Sequence, residues 1–540
     1  MTVPNILLVA ALSTPLVMLA ACISRRLRAR ICGWLAVAPL PGLAAALASP
    51  DQAVPVVFPP PLRMTLALDR PGALLLGLAS LLWALAGAYA RADLRGDPEA
   101  GRFAEWWLLT LSGSLAVFMA ADLVSFYLTY SIVSLAAWGL IVHDGTVDSR
   151  RAAAIYLALA VLGEAFLLMA FVFMAQNTAD GSLMIRAAVA ALPGSPWRAA
   201  SLTLLLLGFG LKIGTVPGHV WMPLAYRAAP IPAAAALSGA AVKAGLIGLI
   251  RFLPLATAMP AWGEALAAAG LLSAFYGVAI GITQDDPKTV LAYSSVSQMG
   301  LLAAALGMGW AAGDANAALG VSFSASNHIL VKGGLFLAVG VAAAGPRLRR
   351  VLWPAVILAL SLAGLPLTGG ALGKMAVKGA LGHGVVGALA NAAAAGSTLL
   401  MLHFLRRLVT LATPARAAKA WAAGSWLTTA FLAIALPWIL YPLAQSGPRL
   451  GALNLAALWQ GLWPIVLGGI AAAILWGSGI VLPRCPPGDI VIAGERAARS
   501  MTGCAKAIEK ADTMLREWPV ACLSLLIIVF LLATALWVRP

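Results

Sequence analysis

Six residues in this sequence could carry chemistry that their surroundings make costly: Lys212, Lys243, Lys332, Lys374, His328 and Glu164. Each falls inside a long apolar run. Lys212 lies in GFGLKIGTVPGHVWMP, Lys243 in SGAAVKAG, His328 and Lys332 in SNHILVKGGLFL, Lys374 in SLAGLPLTGGALGKMAVKG and Glu164 in LAVLGEAFLLMA. A cation at the bilayer centre costs about 2.5–3.5 kcal/mol on insertion scales, so several together require a hydrated interior lined by protein. Desolvation disfavours a lysine's charged form, and a neighbouring carboxylate restores it. A lysine balanced in this way takes up a proton and releases it as the neighbouring charge moves, which is the chemistry of a proton relay. His328 and Lys332 are one helical turn apart and share a face, and imidazole exchanges a proton readily near neutral pH. A lone histidine in a span can equally be a packed, hydrogen-bonded residue. Lys378, one turn beyond Lys374, can simply extend its stem to the membrane interface. His143, His383 and His403 fall near the ends of spans and carry no assignment.

The elements that must hold these groups follow from composition. The chain has 540 residues, 61% hydrophobic and only 10% charged, which excludes a soluble globular protein of this length. Apolar runs of about 20 residues recur from end to end, the length a helix needs to cross the hydrocarbon core. They are too long and too uniformly apolar for barrel strands. The expected fold is an all-α polytopic membrane protein with about 14–16 transmembrane helices, two of them broken. One break follows Lys212 at Gly214, Pro217 and Gly218; the other precedes Lys374 at Gly364, Pro366, Gly369 and Gly370. Paired breaks in two halves point to inverted repeats with ion sites at the breaks, where water or protein satisfies the freed backbone groups.

A net charge of +16 would suggest nucleic acid for a soluble protein. Here most of the 36 Lys and Arg fall in alternate loops, among them SRRLRAR at 24–30 and the run 484–517. That is the positive-inside bias, so the charge records topology, with both termini on the outer side, and not a nucleic-acid partner. The five cysteines show no CxxC and no metal spacing, and neither disulfides nor clusters are expected. LAAC at 19–22 resembles a lipoprotein cleavage box, but the basic residues follow the apolar run instead of preceding it, so an uncleaved first helix is expected.

This organisation divides the chain into N-terminal transmembrane helices over 1–103, a first repeat over 104–255, a second over 256–410 and additional helices over 411–483. A cytoplasmic amphipathic segment comes next over 484–518, then a final transmembrane helix over 519–540. In that segment Met501, Cys504, Ile508, Ala511, Leu515 and Trp518 recur at helical spacing. It either lies along the membrane surface or packs on the protein as a solvated connector.

TQDDPKTVLAYSSVSQMG (283–300) resembles the signature of the large antiporter-like membrane subunits of respiratory complex I, Mrp-type antiporters and group 4 membrane hydrogenases. LKIGTVPGHVWMPLAYRAAPIPAAAALSGAAVKAG (211–245), NHILVKGGLFL (327–337) and GLPLTGGALGK (364–374) match further blocks, collinear over about residues 110–410. The resemblance implies that Lys212 is the lysine of the first broken helix and that Lys243 passes protons onward. It implies that His328 and Lys332 form a middle axis, and that Lys374 serves exit toward the outside. The sequence also departs from that pattern. The glutamate that family members pair with the first broken-helix lysine is Ser131 here, and two of the usual histidines are Ser238 and Ser324. Glu164 is then the one acid deep enough to pair with Lys212.

The function so implied is that of a proton-translocating subunit of a multisubunit inner-membrane complex, working through lysine, histidine, glutamate and water. Its partners would be other membrane subunits and the lipid bilayer. No quinone, flavin, haem or iron–sulfur motif is evident, so no cofactor or metal is expected and redox chemistry would belong to neighbouring subunits. Three alternatives stay open. One is a sodium- or potassium-coupled antiporter subunit. Another is a subunit energising uptake of a substrate such as inorganic carbon by a partner. The third is a scaffold that no longer conducts.

Overall fold

The computed structural model describes residues 2–492, apart from 49–54, 59–62, 179, 345–351, 383, 412–419, 445–453 and 481. The chain forms two compact units, residues 1–487 and 488–540. Most of the amphipathic segment and the last expected span, from residue 493 onward, lie outside the described residues.

Among the described residues the first unit is a bundle of helices with almost no sheet. The sheet is a two-stranded antiparallel pair in which Val56 faces Leu66 and Val57 faces Thr65. The principal helices are α1 (Val3–Ala21), α2 (Arg70–Asp93), α3 (Ala100–Ala116), α4 (Leu123–Ile141), α5 (Val147–Ala175) and α6 (Arg198–Ile213). They continue as α7 (Trp221–Ala228), α8 (Ile231–Phe252), α9 (Pro260–Gly281), α10 (Pro287–Ala312) and α11 (Ala317–Ala343). The last are α12 (Trp353–Ala363), α13 (Gly369–Leu381), α14 (Val385–Thr410), α15 (Ala420–Ala444) and α16 (Leu455–Gly477). Among the described residues 12 helical segments are long and apolar enough to span a bilayer, and Ile185–Gly194 and Trp353–Ala363 are shorter apolar helices. The chain is an all-α, multi-pass membrane protein.

Without a hydrophobic force between helices in lipid, close packing depends on small residues that let backbones approach. Gly263, Gly270 and Gly277 on α9 lie seven residues apart and press on the α10 backbone at Gly307, Gly300 and Tyr293. At each, a methyl group would collide with a main-chain carbonyl.

Both expected breaks are present. Helix α6 stops at Gly214, which takes the left-handed conformation at φ 75°, and Pro217 cannot continue the helical hydrogen bonding. The freed groups find partners, as membrane depth requires: the Leu211 carbonyl accepts from Trp221 Nε1 at 2.8 Å, and Val216 N donates to Ser273 Oγ at 2.9 Å. Helix α12 stops in the same way at Gly364, φ 90°, before Pro366. There the Leu367 carbonyl accepts from Trp438 Nε1 at 3.1 Å, and Gly370 N donates to Ser361 Oγ at 3.1 Å.

Helices α8 and α11 are the most enclosed of the spans. The middle of α8 is a π-turn, Leu237–Ala241, ending just before Lys243. Such a turn adds a residue to the helix and so rotates the side chains beyond it. Gly239 inside it meets the α11 backbone at Ile329, bringing the two helices together where their polar residues lie.

Candidate functional site

Lys212 sits in the last turn of α6, where the negative end of the helix dipole favours a cation. It is buried. Its ammonium donates to Ser134 Oγ on α4 at 2.8 Å and to Tyr156 Oη on α5 at 3.4 Å. Tyr156 in turn donates to the Ser134 main-chain carbonyl at 2.7 Å, so the lysine is held in a small polar clamp. The Tyr130 and Tyr156 ring centroids stand 5.6 and 5.8 Å from Nζ. A cavity of about 10 Å³ opens between Tyr130, Ser134, Tyr156, Gly163 and Lys212, room for one water.

Glu164 is buried on α5, next to Gly163, where α5 crosses α6 at Gly208. Its carboxylate and the Lys212 ammonium act on each other across the gap between the helices, and Ser131 lies beside it. The two charges do not meet in a contact ion pair. Glu164 Oε1 has no hydrogen-bond partner among the described residues. The serine at the family's glutamate position and the acid one helix further on therefore share one neighbourhood.

On the far side of Lys212, α8 lies directly against its stem: a methyl group on Gly245 would meet Lys212 Cβ at 2.9 Å. Two residues earlier, Lys243 is wholly buried. Its Nζ lies 2.6 Å from His328 Nδ1 on α11 and donates to the Ser238 carbonyl at 3.3 Å. Lys332, one turn further along α11 and also wholly buried, donates to the Leu291 carbonyl at 2.8 Å. Ser295 Oγ donates to that same carbonyl, so the AYSS signature on α10 provides the seat for Lys332.

His328 also lines a second, much larger cavity, about 550 Å³, shared with Gln298, Ser324, Asn327, Lys374 and Asn391. Lys374 projects from α13 back to the broken end of α12, where its ammonium donates to the Ala363 carbonyl. Both broken-helix lysines thus rest against the carbonyl end of a helix. Lys378, exposed, donates to Gln460 Oε1 at 2.6 Å.

The structure therefore groups the six sequence-derived residues in three places: Glu164 and Lys212, then Lys243, His328 and Lys332, then Lys374. Gly245 sets α8 against the stem of Lys212, and His328 and Lys374 line the large cavity together. Tyr156 and Ser134 were not singled out by the sequence. Tyr156 lies two turns before Glu164 on the same helix, a spacing that puts them on one face; that was the available signal.

A buried row of lysine and histidine threaded through a helical bundle with two broken spans defines a class of multi-pass membrane protein that carries charge at its core. The chain belongs to the NADH:quinone oxidoreductase/Mrp antiporter transmembrane family, whose model matches residues 120–402. It is 30% identical over 300 residues to hydrogenase-4 component B of Escherichia coli strain K12, covering 52% of this chain and 44% of that protein. It is 32% identical over 343 residues to NADH-quinone oxidoreductase subunit N of Desulforudis audaxviator, covering 59% of this chain and 66% of that protein. The chain thus spans less than two thirds of the length of either relative. Its fold is similar to a chain of the Mrp complex from Dietzia sp. DQ12-45-1b, with TM-score 0.73, 22% identity, and coverage of 100% of this chain and 63% of that one. It is also similar to a chain of the membrane-bound sulfane sulfur reductase, an archaeal respiratory membrane complex. There the TM-score is 0.69 at 20% identity, covering 98% of this chain and 99% of the other.

Proposed function

We propose that this chain is a proton-translocating subunit of a multisubunit complex in a bacterial inner membrane, with both termini on the periplasmic side. Protons would pass by way of Glu164 and Lys212 to Lys243, His328 and Lys332, and leave through the cavity beside Lys374. The observation that carries this reading is the contact between Lys243 and His328, 2.6 Å apart. It is fully enclosed on the Lys243 side, yet His328 borders the cavity that Lys374 also lines. A proton handed from lysine to imidazole on one side can leave from the other ring nitrogen toward the cavity. The Lys243–His328 step is a hydrogen-bonded hop; the other steps would pass through water.

Glu164 fits the role of modulator. Its charge raises the affinity of Lys212 for a proton while the two are close, and a shift of α5 against α6 would weaken that hold. The Ser134–Tyr156 clamp would hold Lys212 in place while the Glu164 charge acts on it.

The test is proton uptake by proteoliposomes carrying the complex purified with its own neighbours, read with an internal pH dye. Dye acidification independent of sodium and potassium is the expected result. Flux that requires either cation would make this a cation/proton antiporter subunit, and no flux in an intact, active complex would make it a scaffold.

A further inference from the structure

Helix α1, 19 residues long, is just sufficient to cross the hydrocarbon core, so the chain beyond Ala21 lies at the membrane surface. A short helix, Arg25–Ile31, starts there and runs into a single 3₁₀ turn, Cys32–Trp34. Helix α2 fixes this segment from the side. Its Gly87 meets the Leu35 and Ala36 backbone, and one turn further on Arg91 Nε lies 3.9 Å from where a methyl group on Gly33 would stand. Arg91, in the last turn of α2, thus comes up beside Arg30 and Trp34 from a different part of the chain.

Arg26, Arg30 and Arg91 are exposed, and among the described residues none of them is paired with a carboxylate. The acids of the adjoining segments are engaged elsewhere: Glu105 with Arg28 at 3.0 Å, Glu99 with Arg102 at 3.3 Å and Asp97 with His143 at 3.1 Å. Asp93, two residues past Arg91 and so on the opposite face of α2, acts on Lys288. Three guanidinium groups are therefore left without a counter-charge. A second, independent feature lies among them. Leu27 is 46% exposed and Trp34 62%, and with Arg30 they recur at three- and four-residue spacing, which puts apolar surface and cation on one face. Guanidinium groups bind phosphate in a bidentate fork, and tryptophan and leucine at headgroup depth take up the glycerol and the first part of an acyl chain. A free anion would leave that apolar surface unused; a lipid uses both parts.

We infer that this patch is a site for an anionic phospholipid: Arg30 and Arg91 hold its phosphate, Arg26 adds charge, and Leu27 and Trp34 receive the upper part of an acyl chain. The bound lipid would brace the segment after α1 against the end of α2. Binding is independent of which ion the chain moves.

The experiment is a titration of the intact, delipidated complex in detergent with phosphatidylglycerol or phosphatidylcholine of the same acyl chains, with bound lipids counted by native mass spectrometry. The expected result is a phosphatidylglycerol held at least about tenfold more tightly than phosphatidylcholine. Loss of one charged hydrogen-bonding partner weakens such binding by about tenfold, so Arg30→Gln and Arg91→Gln should each shift the midpoint upward by about that factor. Arg150→Gln, at an exposed arginine of α5, should leave it unchanged. Equal retention of the two lipids would overturn the inference, as would a midpoint moved as far by Arg150→Gln. A midpoint unmoved by Arg30→Gln and Arg91→Gln, the result if a neighbouring subunit covers the patch, would overturn it too. Displacement of the lipid by inorganic phosphate would make this a site for the free ion and reject the lipid.

Discussion

Tyr156 holds Lys212 more directly than Glu164 does. Its hydroxyl accepts from the lysine at 3.4 Å and donates to the Ser134 carbonyl at 2.7 Å, so it fixes the lysine relative to both α4 and α5. Tyr156→Phe keeps the ring that packs on Trp221 and removes only the oxygen. The lost bond is worth about 0.5–1.5 kcal/mol, and proton flux per assembled complex should fall by up to about tenfold. Flux equal to wild type would mean that the clamp plays no part. The lysines, His328 and Glu164 were legible in the sequence because charge inside an apolar run is costly and so conspicuous. Tyr156 and Ser134 were not, because both residue types sit in spans without penalty and only their convergence on one ammonium gives them meaning.

At the scale of elements, the breaks set where the lysines lie. Gly364 has φ 90° and is wedged against the Lys374 side chain. Gly364→Ala would add left-handed strain of about 1–3 kcal/mol and push the lysine away from the Ala363 carbonyl. Lower thermal stability together with lost flux is expected; a variant with both unchanged would separate the break from the position of Lys374. The glycines and prolines of both breaks were readable at once, since a glycine followed two or three residues on by a proline interrupts helical hydrogen bonding. The π-turn at Leu237–Ala241 was not. Nothing in LSGAA marks it, and it accompanies the close approach of Gly239 to α11 at Ile329, a tertiary fact. Yet that turn immediately precedes Lys243, the residue that meets His328.

For the molecule as a whole, the helices are tied at both ends by ion pairs that stand apart from the polar row. Arg251 at the end of α8 binds Asp69, the N-cap of α2, at 2.8 Å and also donates to the carbonyls of Phe118 and Ala120. Arg251→Ala would strand Asp69 and those carbonyls, at a cost of about 3–5 kcal/mol, measurable as a marked drop in melting temperature; a change too small to detect would refute that role. In the loop between α2 and α3, Asp97 pairs with His143 at 3.1 Å. Burial opposes its charge, but the Glu99 amide, His143 and Arg102 outweigh it and hold its carboxyl below the usual range. A depressed carboxyl stabilises the fold above its unfolded value of about 3.9 and loses that contribution as pH falls through the folded value. Asp97→Asn should therefore lower stability at neutral pH and match wild type in strong acid; a constant difference across pH would contradict the assignment. The overall class was legible from composition, because only a membrane protein tolerates so little polar surface. Which helices enclose Lys243 was not, because α8 and α11 do not stand out among the spans in hydropathy.

The proposed route takes protons through the buried contact of Lys243 with His328. Lys243→Met keeps the length and apolar stem of the side chain and removes the group that exchanges the proton. Proton flux should be measured by internal pH dye in proteoliposomes of the complex assembled with this variant and normalised to assembled protein. Loss of flux by at least about tenfold, or 1.4 kcal/mol of barrier, is the predicted result, and flux equal to that of the wild-type complex would contradict the account.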